Sequence, residues 1–165
     1  MKKLALLLTI TLATLHAQAA TTITLEGVHN CCKSCTNGIT KAAASIKDVE
    51  VTAEGSTVTI TAKTKMNAKK AVEAILDAGY YGKISDETFS PSIKADKKLT
   101  EAKVTGAHLC CQKCVDAMRK AVESVPGVQE AEIVSKQSTF TVKGEFSSQA
   151  LLAAMNQAGF HGTLQ

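Results

Sequence analysis

Apolar and polar positions follow one order that occurs twice along the chain. In the C-terminal half, Ala102 and Val104 alternate with polar neighbours, which predicts a half-buried strand. Val115, Met118, Ala121, Val122 and Val125 then recur at a spacing near 3.6 and predict a helix from about Cys114, stopped by Pro126-Gly127. Ala131 and Ile133 are expected to pair with Phe140 and Val142 across a polar turn. Leu151, Leu152 and Met155 mark a second helix that Gly159 ends, and Thr163-Leu164 begins a short last strand. The N-terminal half repeats the order through Ile23 and Leu25; Ile39, Ala42, Ala43 and Ile46; Val49 and Val51; Val58 and Ile60; Ala71, Val72 and Ile75; and Ile84. Its first helix carries Gly38 and an alanine run, which predict a looser core there.

Strand–helix–strand–strand–helix–strand is the order of the ferredoxin-like βαββαβ unit, so the expected class is α+β with two tandem copies. They fall at residues 20–85 and 99–165, with a charged, Pro91-containing linker over 86–98. Each is near the lower size limit for independent folding. Residues 1–19 read instead as a signal peptide: Lys2 and Lys3, an uncharged apolar run from Leu4 to Leu15, then Ala17-Gln18-Ala19 as a small–x–small cleavage pattern. The run is too short to span a bilayer as a helix. The mature chain is therefore expected to be periplasmic or secreted and not embedded in a membrane.

Composition adds exclusions. With 45% hydrophobic and 21% charged residues the chain is not a disordered polyelectrolyte. Losing Lys2 and Lys3 lowers a formal charge of only +4, so there is no basic footprint for nucleic acid. RNA-binding domains of the same element order stack bases on aromatics of the third strand. The outward side of that strand here carries Thr57, Thr59 and Thr61 in one copy and Thr139 and Thr141 in the other.

The six cysteines change the picture most. Gly27-Val28-His29-Asn30-Cys31-Cys32-Lys33-Ser34-Cys35 returns as Gly106-Ala107-His108-Leu109-Cys110-Cys111-Gln112-Lys113-Cys114, and Ala78-Gly79-Tyr80-Tyr81-Gly82 returns as Ala158-Gly159-Phe160-His161-Gly162. Each cysteine set falls between a strand and the helix after it. Unpaired N–H groups and the positive end of the helix dipole favour thiolates there. A C-x-x-C pair around a first helical turn can aim both sulfurs at one soft ion.

With these residues both modules resemble heavy-metal-associated domains, the fold of copper chaperones, periplasmic mercury-binding proteins and the N-terminal modules of metal-pumping P-type ATPases. The family opens its first helix with Gly-Met-x-Cys-x-x-Cys and has an apolar residue four places beyond the second cysteine, here Ile39 and Met118. Its late Ala-Gly-Tyr loop, which lies beside the metal, is matched by Tyr80 and approximately by Phe160. The resemblance implies metal ligation by Cys32 and Cys35 and by Cys111 and Cys114, with a membrane metal transporter or another metal-binding protein as partner.

The chain departs from the family in three places. Glycine lies five residues before the pair instead of three; methionine is replaced by Asn30 or Leu109; and an additional cysteine, Cys31 or Cys110, precedes each pair, with His29 or His108 two residues earlier. A third thiolate makes a trigonal site and a histidine completes a tetrahedron, geometries that suit Zn2+ or Cd2+ better than linear Cu+ or Hg2+. The expectation is one zinc-type or broadly soft-metal site per domain, without catalysis. His29 and His108 are equally readable as loop residues capping backbone groups, His161 as a surface residue, and Tyr80 and Phe160 as core.

Other readings remain open from these residues. Export favours disulfides, Cys32 with Cys35 or Cys111 with Cys114, in a scaffold or adhesion protein that has lost its metal. A thiol–disulfide oxidoreductase also places C-x-x-C at a helix start, but the chain lacks tryptophan, and its only prolines, Pro91 and Pro126, are not placed to form the cis-proline loop of the thioredoxin fold. No catalytic triad, phosphate loop or paired-carboxylate site is recognisable.

Overall fold

A computed structural model describes residues 19–92 and 95–165. All but the last residue of the expected signal peptide lies outside them. The elements run β1 (Thr21–Glu26), α1 (Lys33–Ala43), β2 (Val49–Glu54), β3 (Thr57–Ala62), α2 (Lys65–Asp77) and β4 (Lys83–Ile84). They continue with β5 (Lys98–Thr105), α3 (Gln112–Glu123), β6 (Val128–Glu132), β7 (Thr139–Ser147), α4 (Ser148–Gln157) and β8 (Thr163–Leu164). Strands order as β2-β3-β1-β4 in one antiparallel sheet and β6-β7-β5-β8 in the other, giving two tandem ferredoxin-like domains. No helix among the described residues is long and apolar enough to cross a membrane.

Alternation sets the register. Ile23 pairs with Ile60 and Leu25 with Val58, so the four apolar side chains share the face that α1 and α2 cover. Val104 pairs with Phe140 and Ala102 with Val142 in the same way. Ile133, expected to pair in the hairpin, instead lies just past β6: its side chain is buried and its carbonyl accepts a hydrogen bond from Arg119 Nη2 at 3.2 Å.

Helix starts differ in a way that matters for the site. Thr64 caps α2 by accepting from Asn67 N–H at 3.2 Å, and Ser147 caps α4 by accepting from Ala150 N–H at 3.1 Å. At α1 and α3 the N-cap residues are Cys32 and Cys111, with no side-chain oxygen in the capping position. α3 begins at Gln112, two residues before the expected Cys114, which places Cys114 in its first turn. The segment read as a linker is partly docked: Phe89 is buried, and Asp96 accepts from Ser147 Oγ at 2.7 Å and from Gln149 N–H at 3.1 Å, close to where β5 begins.

Gly38 does not loosen the first core. A Cβ there would collide with the Tyr80 hydroxyl, so the absent methyl is the space that this oxygen occupies. The equivalent positions of the second domain are Ala117 and Phe160: the helix carries the methyl where the ring lacks the oxygen. Gly38→Ala is expected to cost about 1–3 kcal/mol by overpacking. Tyr80→Phe in the same chain should restore most of it, as thermal unfolding of the two single variants and the double variant will read.

Candidate metal centre

The two domains meet through their cysteine loops and late glycine loops. Gly79 (φ +90°) and Gly159 (φ +84°) each present a bare Cα to the other domain's loop, where a Cβ would strike the backbone of His108 and Gly106 or of His29 and Gly27. His29 N–H donates to the Gly159 carbonyl at 3.2 Å, Tyr81 N–H to the same carbonyl at 3.1 Å, and His161 N–H to the Gly79 carbonyl at 3.0 Å. Tyr80 and Phe160 form an isolated antiparallel bridge across the junction.

This contact brings all six thiols together, each free. Within the domains, Cys31 and Cys35 lie 3.8 Å apart, Cys32 and Cys35 3.7 Å, Cys110 and Cys114 3.7 Å, and Cys111 and Cys114 3.8 Å. Separations between domains are no longer: Cys35–Cys110 is 3.6 Å, Cys31–Cys114 3.7 Å, Cys31–Cys111 and Cys32–Cys110 3.8 Å, and Cys35–Cys114 4.0 Å. Cys32 and Cys111 close a further side within 4.8 Å, as do Cys31 with Cys32 and Cys110 with Cys111. The sulfurs are joined as the corners of an octahedron are joined. Cys31 stands opposite Cys110, Cys32 opposite Cys114, and Cys35 opposite Cys111. The two ligand sets expected from the sequence are thus one.

The octahedron is anchored at one edge and approachable at another. Cys35 and Cys114 are fully buried, whereas Cys31, Cys32, Cys110 and Cys111 are half-buried, and of these Cys32 and Cys111 stand at the helix starts. The Cys35 N–H holds the Cys32 thiol down at about 7, and the Cys114 N–H lowers Cys111 likewise. Burial pushes Cys31 and Cys110 up to about 12 and raises Cys114 too. Neither α1 nor α3 has an acidic residue in its first turn, so both positive helix ends face the sulfurs without a competing carboxylate.

Each histidine also crosses the junction. His29 lies within 4.8 Å of Cys31 and Cys114, and His108 within 4.8 Å of Cys35 and Cys110, by ring nitrogen to sulfur. His29 stacks on Phe160 and His108 on Tyr80, each with centroids 4.4 Å apart. Burial lowers the pKa of both imidazoles. The Tyr80 hydroxyl is 3.0 Å from His108 Nε2. Phe160 has no such oxygen, and His29 Nε2 is buried without a hydrogen-bond partner among the described residues. Asn30 is taken up structurally, donating to the Gly55 carbonyl at 2.9 Å and accepting from Thr36 at 2.9 Å, while Leu109 fills the core. His161 is half-buried, with a lowered pKa caused by that burial, and it stays outside the thiol cluster.

The contact of Gly79 and Gly159 with the opposite domain, and the ring exchange, were not read from the sequence. The paired difference Gly38/Tyr80 against Ala117/Phe160 was visible there, but only as a packing relation within each copy.

Residues 107–161 match the family model of the heavy-metal-associated domain. The chain is 26% identical, across an alignment of 168 positions that covers 87% of its length, to a copper-exporting P-type ATPase of Vibrio cholerae serotype O1, and it spans 18% of that relative. Among solved structures it is similar to the copper(I)-loaded first domain of the human copper chaperone for SOD1, CCS, with 30% identity over 41% of this chain and 93% of that one and a TM-score of 0.36. It is also similar to the N-terminal soluble domains of Bacillus subtilis CopA, with 18% identity over 90% of this chain and 95% of that one and a TM-score of 0.34.

A brief alkylation pulse near neutral pH, mapped by peptide mass, is expected to label Cys32 and Cys111 well before Cys31, Cys110 and Cys114. Only the thiolate reacts, so labelling of Cys32 should fall as the pH drops through about 7. Uniform labelling of all these thiols would contradict the assigned environments.

Proposed function

We propose that this chain, whose second domain belongs to the heavy-metal-associated family, is an extracytoplasmic, non-catalytic protein that binds a thiophilic ion, Cu(I) first, for storage or delivery. The observation that carries the reading is the gathering of all six thiols, from both domains, into one all-sulfur cluster with a histidine on either flank. Buried, closely spaced thiols with raised pKa values are costly to ionise unless a cation arrives with the charge.

The spacing bears on the ion. With metal–sulfur bonds of about 2.3 Å, sulfurs lie about 4.0 Å apart in a trigonal plane and about 4.6 Å apart across a linear ion. Nine of the twelve neighbouring pairs, at 3.6–4.0 Å, fit the trigonal case, and the other three lie within 4.8 Å. Any four corners of an octahedron include an opposite pair, so a tetrahedral four-sulfur zinc site requires the thiols to move. Three sulfurs around a monovalent ion do not. The zinc-type preference expected from ligand count therefore gives way to Cu(I), in keeping with the copper-exporting relative. Zn2+ keeps one route, a histidine capping a sulfur face.

Delivery has a path in this geometry. A partner's thiolate, from a membrane transporter or another metal-binding protein, meets the cluster at the half-buried Cys32–Cys111 edge and exchanges one ligand at a time. No basic surface for nucleic acid is involved.

Anaerobic competition against a Cu(I) chelator tests the reading. The reduced mature chain is expected to hold Cu(I) in the presence of equimolar Zn2+, and Cys35→Ser to weaken it at least about tenfold, the scale on which even outer-shell groups act. Affinity should fall as the pH drops, because each thiol must release its proton to bind. A reduced chain that takes up neither Cu(I) nor Zn2+ would overturn the proposal, as would fractionation that finds the chain in the cytoplasm with residues 1–19 retained.

A further inference from the structure

An octahedron of sulfurs offers triangular faces, and alternate faces meet only at corners. If each of four alternate faces takes one trigonal ion, every sulfur bridges two ions and none is left over. Cys31, Cys32 and Cys35 bound one such face, and Cys32, Cys110 and Cys111 bound another of the same set. Cys35, Cys110 and Cys114 bound a third, and Cys31, Cys111 and Cys114 the fourth. Only the first draws all its ligands from one domain.

Resting on the Cu(I)-binding reading above, we infer that the two domains jointly hold one polynuclear thiolate cluster of about four Cu(I) ions in place of one ion per domain. Charge supports the count. Four monovalent ions on six thiolates leave a small net negative charge, offset in part by the amino termini of α1 and α3, each worth roughly half a positive charge. Four divalent ions would leave a positive cluster facing the same positive helix ends. The protons of the thiols leave as the ions enter, so no redox step is involved.

Because every sulfur bridges, a first ion positions ligands for the next, and loading is cooperative. The domain junction becomes part of the metal site. Gly79 and Gly159 hold the loops at the distance the shared faces require. Loss of one cysteine degrades the whole cluster; with independent sites it would empty only one of two.

Native mass spectrometry of the reduced full chain during an anaerobic Cu(I) titration reads this directly. The expected result is apo chain and a species with about four copper ions, with little between, and a copper–copper shell in X-ray absorption of the loaded form. Cys35→Ser and Cys114→Ser, one in each domain, should each abolish that species; circular dichroism of the apo variants confirms that they fold. Saturation at one or two ions in statistical succession, without a copper–copper shell, would overturn the inference and leave Cu(I) binding intact. So would a Cys35→Ser chain that keeps half the wild-type copper. A chain that binds no Cu(I) at all removes the functional reading together with this one.

Discussion

Close approach of two glycines to the opposite domain's loop is the constraint on which the metal centre depends. At Gly79 and Gly159 the backbone is left-handed and the Cα faces peptide groups of the other domain at a distance that admits no Cβ. That approach lets the His29, His161 and Tyr81 amides bond across the junction and puts each late-loop ring against the other domain's histidine. With the loops fixed in this way, the cysteines that follow each histidine have no separate solvent to face. They meet each other.

Such a meeting is electrostatically demanding. Six thiols in contact cannot all ionise by themselves, and the structure divides the burden. Cys32 and Cys111, at the helix starts, have backbone N–H groups aimed at their sulfurs, made available because no side-chain oxygen caps α1 or α3. Cys31, Cys110 and Cys114 are instead pushed up by desolvation. The arrangement is uneven: Cys32 and Cys111 ionise readily at the helix starts, and Cys31, Cys110 and Cys114 do not. Ligand softness, trigonal spacing and helix-end charge are the grounds on which the proposed binding of a monovalent, thiophilic ion rests.

One break in the near-symmetry comes down to a single oxygen atom. Tyr80 hydrogen-bonds His108, whereas Phe160 leaves His29 Nε2 without a partner among the described residues. Gly38 leaves room for the Tyr80 hydroxyl, and the equivalent place in the second domain pairs Ala117 with a ring that lacks the oxygen.

Most of the fold was legible in the chain because it depends on local periodicity. Alternating Ile23 and Leu25, or Phe140 and Val142, can face only one side of a strand, and the helical stripe ending at Val125 can cover only one face of a sheet. Where local pattern competed with a side-chain partner, as at Ile133 and Arg119, the expected pairing stopped short. The cysteines were legible as candidate ligands too, since softness and helix-start position are properties of single residues and their neighbours. Their union was not. Whether two clusters of three face solvent separately or each other depends on a contact between residues about 80 apart, and a glycine that permits that contact looks in sequence like any helix-ending glycine. Element order and the chemistry of the thiols were thus written in the residues, while whether those thiols form two clusters or one was decided only when tertiary packing brought two backbones together.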